Sequence, residues 1–308
     1  MKKKVLLTGG AGFIGSHIAE ELLKKDYHVR IIDNFSTGKK ENLKSFVGDV
    51  ELIEGDIRDF NTVAKVVNGM QIVIHQAALP SVPRSISDPV TTNDVNVTGT
   101  LNLLWCAVQN KTEKFLFASS SSVYGNCNEL VKHEKIVTNP LSPYAVTKLT
   151  GENYCRVFSE TYDLQTVCLR YFNVFGPRQD PNSQYSAVIP KFISTMKRGD
   201  KPVIYGDGEQ TRDFTYVKNV VTANLLAVEN AKEKNLIINC ACNRQISLND
   251  MVAQLNSKLN LTIDPVYQEE RTGDIKHSYA DISLAKEKIN YVPEIYFEGG
   301  LELTLKNF

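Results

Sequence analysis

Tyr144 and Lys148 stand four residues apart, directly after Ser142-Pro143. Serine suits a helix N-cap and proline the first helical position, so the spacing predicts a helix that opens at this pair and carries phenol and ammonium on one face. Tyrosine ionises near pH 10, about three units too high for a base at neutral pH. A neighbouring ammonium favours the phenolate and makes proton abstraction feasible. Tyr-x-x-x-Lys is common by chance, and a half-buried tyrosine beside a solvated lysine is the ordinary alternative. The company it keeps is Ala118-Ser119-Ser120-Ser121-Ser122-Val123-Tyr124-Gly125, which leaves an apolar strand at 114–118. By default a serine-rich loop is a solvated turn. Here it presents hydroxyls at a strand end, where one could hydrogen-bond the hydroxyl that Tyr144 deprotonates.

A second constellation lies near the start. Gly9, Gly12 and Gly15, with Phe13 and Ile14 between them, follow an apolar strand at 4–8 and open a helix over 13–25. Glycines at this spacing permit a tight turn, close backbone approach to a pyrophosphate, and close helix–strand packing. The helix amino-terminus adds N–H donors and a positive dipole end. A glycine-rich turn alone could be empty, but Asp33 ends the next strand, where a carboxylate accepts from an adenosine ribose and repels a 2′-phosphate. The reading is a dinucleotide site that favours NAD over NADP, and an oxidised nicotinamide would further favour the phenolate. Asp56 and Ile57, after the third strand, could meet the adenine or form a plain turn.

These residues need elements to hold them. Strands are expected at 29–33, 50–54, 72–75 and 166–170, alternating with helices at 62–67, 94–110 and 144–162, which implies an α/β fold with a Rossmann-type, doubly wound parallel sheet. After 173 the rhythm changes to a Gly/Pro/Asn-rich loop, a helix near 186–198, a strand at 202–205 and the turn Gly206-Asp-Gly-Glu. The expected division is a cofactor-binding domain over 1–173 with returning segments at about 213–243, and a smaller α+β substrate domain from 174–212 and 244–308. The chain has 308 residues, 42% hydrophobic, with 35 basic and 35 acidic side chains, so no net field draws it to nucleic acid or an anionic membrane. No apolar stretch of about 18 residues could span a bilayer. The apolar start breaks at Thr8-Gly9-Gly10, as a first strand does and a secretory signal does not. Six scattered cysteines include Cys240 and Cys242, expected on one face of a strand; they read as reduced thiols in a cytoplasmic protein, with no metal site.

With these motifs in place, the chain resembles the extended short-chain dehydrogenase/reductases, and within them the UDP-hexose 4-epimerases. The resemblance is densest at His75–Ser85, Asn139–Lys148 and Arg170–Pro181, and those segments are most similar to epimerases acting on UDP-N-acetylglucosamine and UDP-N-acetylgalactosamine. It implies Tyr144 as base, Lys148 as its partner and ribose ligand, and Ser120 as third catalytic member. It implies cofactor contacts from Phe13, Ile14, Asp33, Asn34, Ser36, Thr37, Gly38, Asp56, Ile57, Gln76, Ala77, Ala78, Asn96 and Phe172. It implies UDP-sugar contacts from Pro80, Ser81, Ser121, Ser122, Asn173, Gln179, Ala187, Val188, Val203, Tyr205, Arg212, Arg271 and Asp274. Guanidinium forks at Arg212 and Arg271 suit a diphosphate.

Where the family often carries a bulky tyrosine beside the sugar 2-substituent, this chain has Ser278, leaving volume for an N-acetyl group; an alignment shifted by one would put Tyr279 there. Pro80 replaces a glycine or lysine common in relatives. The implied activity is reversible oxidation of a UDP-sugar at C4 through a 4-keto sugar. Dehydratases and decarboxylases on the same scaffold carry acids at the positions of Ser121 and Ser122; a UDP-glucuronate 4-epimerase is closer, and a non-catalytic NAD-binding regulator would lose part of the Ser120, Tyr144, Lys148 set. The family further implies a homodimer through helices near 94–110 and 144–162, whose apolar residues Val97, Leu101, Leu104, Val108 and Val157 could equally be core.

Overall fold

The computed structural model describes residues 2–127, 129–180, 188–270 and 277–308. The first half alternates as expected: β1 (Lys4–Thr8), α1 (Phe13–Lys24), β2 (His28–Asp33), β3 (Glu51–Glu54), α2 (Phe60–Val67), β4 (Ile72–His75), α3 (Val82–Ser87), α4 (Pro89–Asn93), α5 (Gly99–Gln109) and β5 (Lys114–Ser120). Then follow β6 (Val131–Lys132), α6 (Pro143–Tyr162), β7 (Gln165–Tyr171), β8 (Val174–Phe175), α7 (Val188–Lys197), β9 (Val203–Tyr205), β10 (Thr211–Arg212), β11 (Thr215–Tyr216) and α8 (Val217–Asn230). The chain closes with β12 (Asn235–Cys240), β13 (Ile246–Ser247), α9 (Leu248–Leu259), β14 (Val266–Gln268), β15 (His277–Ala280) and two short helices.

Seven strands form one parallel sheet in the order β12-β7-β5-β4-β1-β2-β3. Both faces are covered, which is why β4 is buried along its whole length and β5 nearly so. Alternation sorts the side chains. Val5 and Leu7 of β1 pack with Ile18 and Leu22 of α1 and Val220 and Ala227 of α8. Leu6 faces the other way, toward Val63 of α2, Leu103 and Leu104 of α5, and Phe158 of α6. Each such side chain contributes about 1.5–3 kcal/mol on leaving water. The chain order reverses between β1 and β4, so the crevice at their carboxyl ends is a topological switch point, where ligands of open α/β sheets bind.

A third core gathers Phe175, Phe192, Ile193, Met196, Phe214, Met251 and Phe297, and Phe13 and Ile14 of α1 pack against it. Beside it, β13, β10, β15 and β6 make a small mixed sheet. Asp213 fastens this sheet to the large one: its carboxylate accepts from Cys242 N at 2.9 Å and Ala280 N at 3.2 Å.

One expectation is refined and one is corrected. The helix anticipated at 94–110 is α5 preceded by a widened π turn, Asp94–Thr98, in which Gly99 N–H reaches back to Asp94 O. The strand carrying Cys240 stops there, and Cys242 lies in the following turn, pulled out of the strand by Asp213. Of the residues left open between core and subunit contact, Leu104 is fully buried, whereas Val157 is 41% exposed.

Behind the serine loop, Glu152 of α6 forms a bidentate pair with Arg170 of β7 at 2.7 and 2.8 Å, both nearly inaccessible, and accepts from Ser119 Oγ at 2.5 Å. Removing one partner of a buried pair leaves the other charged and dry. Glu152→Ala is therefore expected to lower stability by about 3–5 kcal/mol, measured as a shift in urea unfolding midpoint; an unchanged midpoint would contradict the structural weight given to the pair.

Candidate active site

The carboxyl ends of the central strands line a cleft of about 1450 Å³. The glycine-rich turn forms one end. Gly9 has φ +68°, and a Cβ on it would lie 2.7 Å from Ala77 N. One on Gly15 would lie 2.2 Å from Gly9 O, so helix and strand touch backbone to backbone there. At Gly12 a Cβ would meet only Gly9 O within 4 Å, so this position opens onto free space. Gly12 is also the N-cap of α1 and offers no side-chain cap, leaving the first N–H groups directed at the cleft. This cradle fits a pyrophosphate.

Asp33 is buried at the rim. Its Oδ2 accepts from Ala11 N at 2.9 Å and its Oδ1 from Phe35 N at 2.8 Å. Burial raises its carboxyl above the ordinary range, and the two N–H bonds pull it back. Each oxygen keeps a lone pair for a ribose hydroxyl. Gly38 passes so close that a Cβ there would be 2.8 Å from Asp33 Oδ1. Donor set and cradle together fit NAD.

At the other end α6 opens as expected: Ser142 Oγ accepts from Ala145 N, with Pro143 at the first position. Tyr144 is half-buried and lines the cleft with Ser120, whose hydroxyl favours the ionised phenol. Lys148 is buried; its Nζ donates to Ala118 O at 2.7 Å and lies 5.8 Å from the Tyr144 ring centroid. Burial pushes this lysine down to about 8. Of the two cations expected to favour the phenolate, the lysine exerts no such pull in the protein by itself: burial holds Tyr144 above its ordinary value, and the opposing pull comes from Ser120. Ser122 Oγ lines the same wall, buried and without a protein partner among the described residues, and is thus available to a bound hydroxyl.

The cleft wall gathers most residues named from the sequence, including Asn34, Ser36, Thr37, Ile57, Gln76, Ala78, Pro80, Ser81, Ser121, Asn173 and Gln179. Arg212 and Ser278 join them as register partners on β10 and β15, and Ser278, not Tyr279, faces the cleft. Three named residues, Ala187, Arg271 and Asp274, lie outside the described residues. Six others are not in the wall. Phe172 is fully buried against Val123 and Tyr124, because strand alternation gives the cleft to Tyr171. The Asp56 carboxylate is taken by Arg58 and Asn34 Nδ2, and is held at about 2 chiefly by the Arg58 bond. Asn96 sits behind the wall, accepting from Leu79 N at 2.8 Å and donating to Leu79 O and Thr147 Oγ1. Val188 begins α7, while Val203 and Tyr205 lie on β9, paired with β14.

Sequence reasoning missed Tyr171, Arg84, Lys39 and Asp180, all in the wall. Tyr171 was legible in the alternation of Arg170-Tyr-Phe-Asn. Lys39 and Asp180, paired at 3.0 Å across loops far apart in sequence, were not.

Residues 5–241 match the NAD dependent epimerase/dehydratase family. The chain belongs to this family. It is 39% identical over 97% of its length to a putative UDP-glucose 4-epimerase of Methanocaldococcus jannaschii, covering 96% of that protein. It is 34% identical over its whole length to the UDP-N-acetyl-alpha-D-glucosaminuronate decarboxylase of Bacillus cytotoxicus, covering 98% of it. Among solved structures, the UDP-N-acetylglucosamine 4-epimerase of Methanobrevibacter ruminantium M1 in complex with UDP-N-acetylmuramic acid superposes with TM-score 0.95 at 46% identity, with 100% of this chain and 99% of that one covered. The protein is thus an NAD-dependent enzyme of the UDP-sugar epimerase family.

The buried lysine makes a pH prediction. Its folded-state pKa, about 8, lies below the ordinary 10.5, so between these values the unfolded chain binds the proton that the folded chain releases. Stability from this group rises with pH across that window and is lowest below pH 8. In NAD-free protein, the melting temperature of wild type relative to Lys148→Met is expected to climb from pH 8 to 10; a constant difference would contradict the buried, charge-disfavouring site.

Proposed function

We propose that this chain is a 4-epimerase of UDP-N-acetylglucosamine and UDP-N-acetylgalactosamine. One observation carries the reading: the Ser120–Tyr144 pair and Lys148 share a single cleft with the glycine cradle, Asp33, Arg212 and the small Ser278. Glycine cradle, helix terminus and Asp33 hold NAD, with Lys148 toward its nicotinamide ribose. When bound, NAD supplies the acceptor and donor of the C4 hydride and a fixed positive charge beside the phenol. Tyr144 takes the proton of the sugar 4-hydroxyl and returns it after the 4-keto sugar has turned. Ser120 holds the same hydroxyl, Ser121 and Ser122 line the sugar, and Arg212 pairs with the diphosphate that anchors it. Segments 174–212 and 244–308 act as the UDP-sugar unit.

Kinship with a decarboxylase calls for a distinction. Ser121 and Ser122 stand where lyases of this type carry acids, and the acids in the described wall are Asp33, at the cofactor rim, and Asp180, paired with Lys39. The wall beside Tyr144 thus offers hydroxyls, which suit a neutral sugar returned unchanged apart from C4.

The protein is further proposed to pair with a second copy through α5 and α6, where Trp105 is 38%, Val146 49% and Tyr162 44% exposed, with Val90 of the neighbouring α4 at 78%. Apolar side chains so exposed on adjacent helices favour burial against a like surface.

Incubation with UDP-N-acetylglucosamine should yield UDP-N-acetylgalactosamine by anion-exchange chromatography and NMR; a decarboxylated or dehydrated product, or none, would overturn the assignment. Tyr144→Phe, with fold and NAD retained, should lose at least about a hundredfold in kcat. Ser278→Tyr is expected to raise KM for the acetylated sugar about tenfold or more by overfilling the pocket, leaving UDP-glucose turnover less affected. Equal effects on both sugars would remove Ser278 from substrate choice.

A further inference from the structure

His75 ends β4 beneath the cleft, 1% exposed, and takes no part in the chemistry above. Its two ring nitrogens meet two threonine hydroxyls: Nδ1 lies 2.7 Å from Thr8 Oγ1, and Nε2 lies 2.8 Å from Thr100 Oγ1. The direction of each bond is fixed by what lies beyond it. Thr100 Oγ1 donates its one hydrogen to Asn96 O at 2.6 Å, and a carbonyl can only accept. Toward His75 the Thr100 oxygen must therefore accept, which requires a hydrogen on Nε2. On the other side Thr8 Oγ1 accepts from Ala77 N at 3.2 Å. The Thr8 hydrogen then points to Nδ1, which must be bare. A proton on Nδ1 would leave the Thr8 hydroxyl hydrogen buried without an acceptor among the described contacts.

The chain of bonds runs in one direction, from Ala77 N–H through Thr8, the imidazole and Thr100 to Asn96 O. Both ends touch the walls of the cleft. Thr8 leads into the glycine turn, and Ala77 lines the cofactor end. Asn96 grips Leu79 by both backbone groups, and Leu79 is also in the wall. The π turn fits this picture: the Thr100 hydroxyl reaches the Asn96 carbonyl, and the helix widens over Asp94–Thr98.

We propose that His75 is a positioning residue, a neutral Nε2–H imidazole that locks the glycine turn, the 76–80 strip and the π turn into one register for NAD. The charged neighbour facing it is Lys148 of α6, and burial together with that ammonium keeps the ring unprotonated, down to about 3. A second buried positive charge here would also compete with the lysine at the catalytic tyrosine. The inference rests on NAD as resident cofactor, but its first test does not depend on which sugar is turned over.

Long-range 1H–15N spectra of the holoenzyme labelled with 15N-histidine at pH 7.5 should show one ring, identified by its loss in His75→Gln, with a protonated Nε2 and an unprotonated Nδ1. An Nδ1–H tautomer or an imidazolium would overturn the proposal. Thr100→Val removes the acceptor of Nε2–H while keeping shape. With its donor to Asn96 O lost as well, it should release NAD at least about tenfold faster, with KM for the sugar unchanged, and Thr100→Ser should restore retention. If Thr100→Val holds NAD as tightly as wild type, His75 does not position the cofactor walls.

Discussion

The site depends on how one helix is clamped to one strand. Two side chains on the same face of α6, one turn apart, grasp successive residues of β5: Lys148 donates to Ala118 O, and Glu152 accepts from Ser119 Oγ. Arg170 holds Glu152 from the neighbouring strand. The next residue of β5 is Ser120, and the preceding turn of α6 is Tyr144. Charge buried behind the helix thus sets the phenol against the serine hydroxyl. This register is costly to lose, since each buried charged group would be left without its partner.

The clamp also explains the electrostatic state of the tyrosine. Burial raises the phenol, and Lys148, itself pressed toward its neutral form, spends its bond on Ala118 O. Burial thus favours the protonated phenol. In the proposed reaction full basicity would await a cationic ring beside it, which would couple proton abstraction to the presence of the oxidised cofactor.

Legibility in the sequence followed the range of the forces involved. The glycine turn, Asp33 and the Tyr144/Lys148 spacing were readable because each is a local rule: a backbone approach, a strand end, a helical turn. The parallel sheet was readable from apolar runs buried on both faces. What escaped depended on which side-chain partner wins and which way a strand end faces, near in the chain or far. Asp56 looked free for an adenine until Arg58 and Asn34 took its carboxylate. Phe172 looked like a ligand residue until alternation turned it into the core and gave the cleft to Tyr171. The small sheet that brings Arg212 beside Ser278 is built from strands as short as two residues, with no periodicity long enough to register.

The central claim is that the C4 hydrogen leaves and returns within one closed cleft while Tyr144 handles only the hydroxyl proton. The most direct measurement uses UDP-N-acetylglucosamine carrying deuterium at C4, with the product isolated and examined by mass spectrometry and NMR. The account predicts an epimer that keeps its deuterium at C4, with none released to water. Loss of the label to solvent would contradict it, because the hydrogen would then have travelled as a proton.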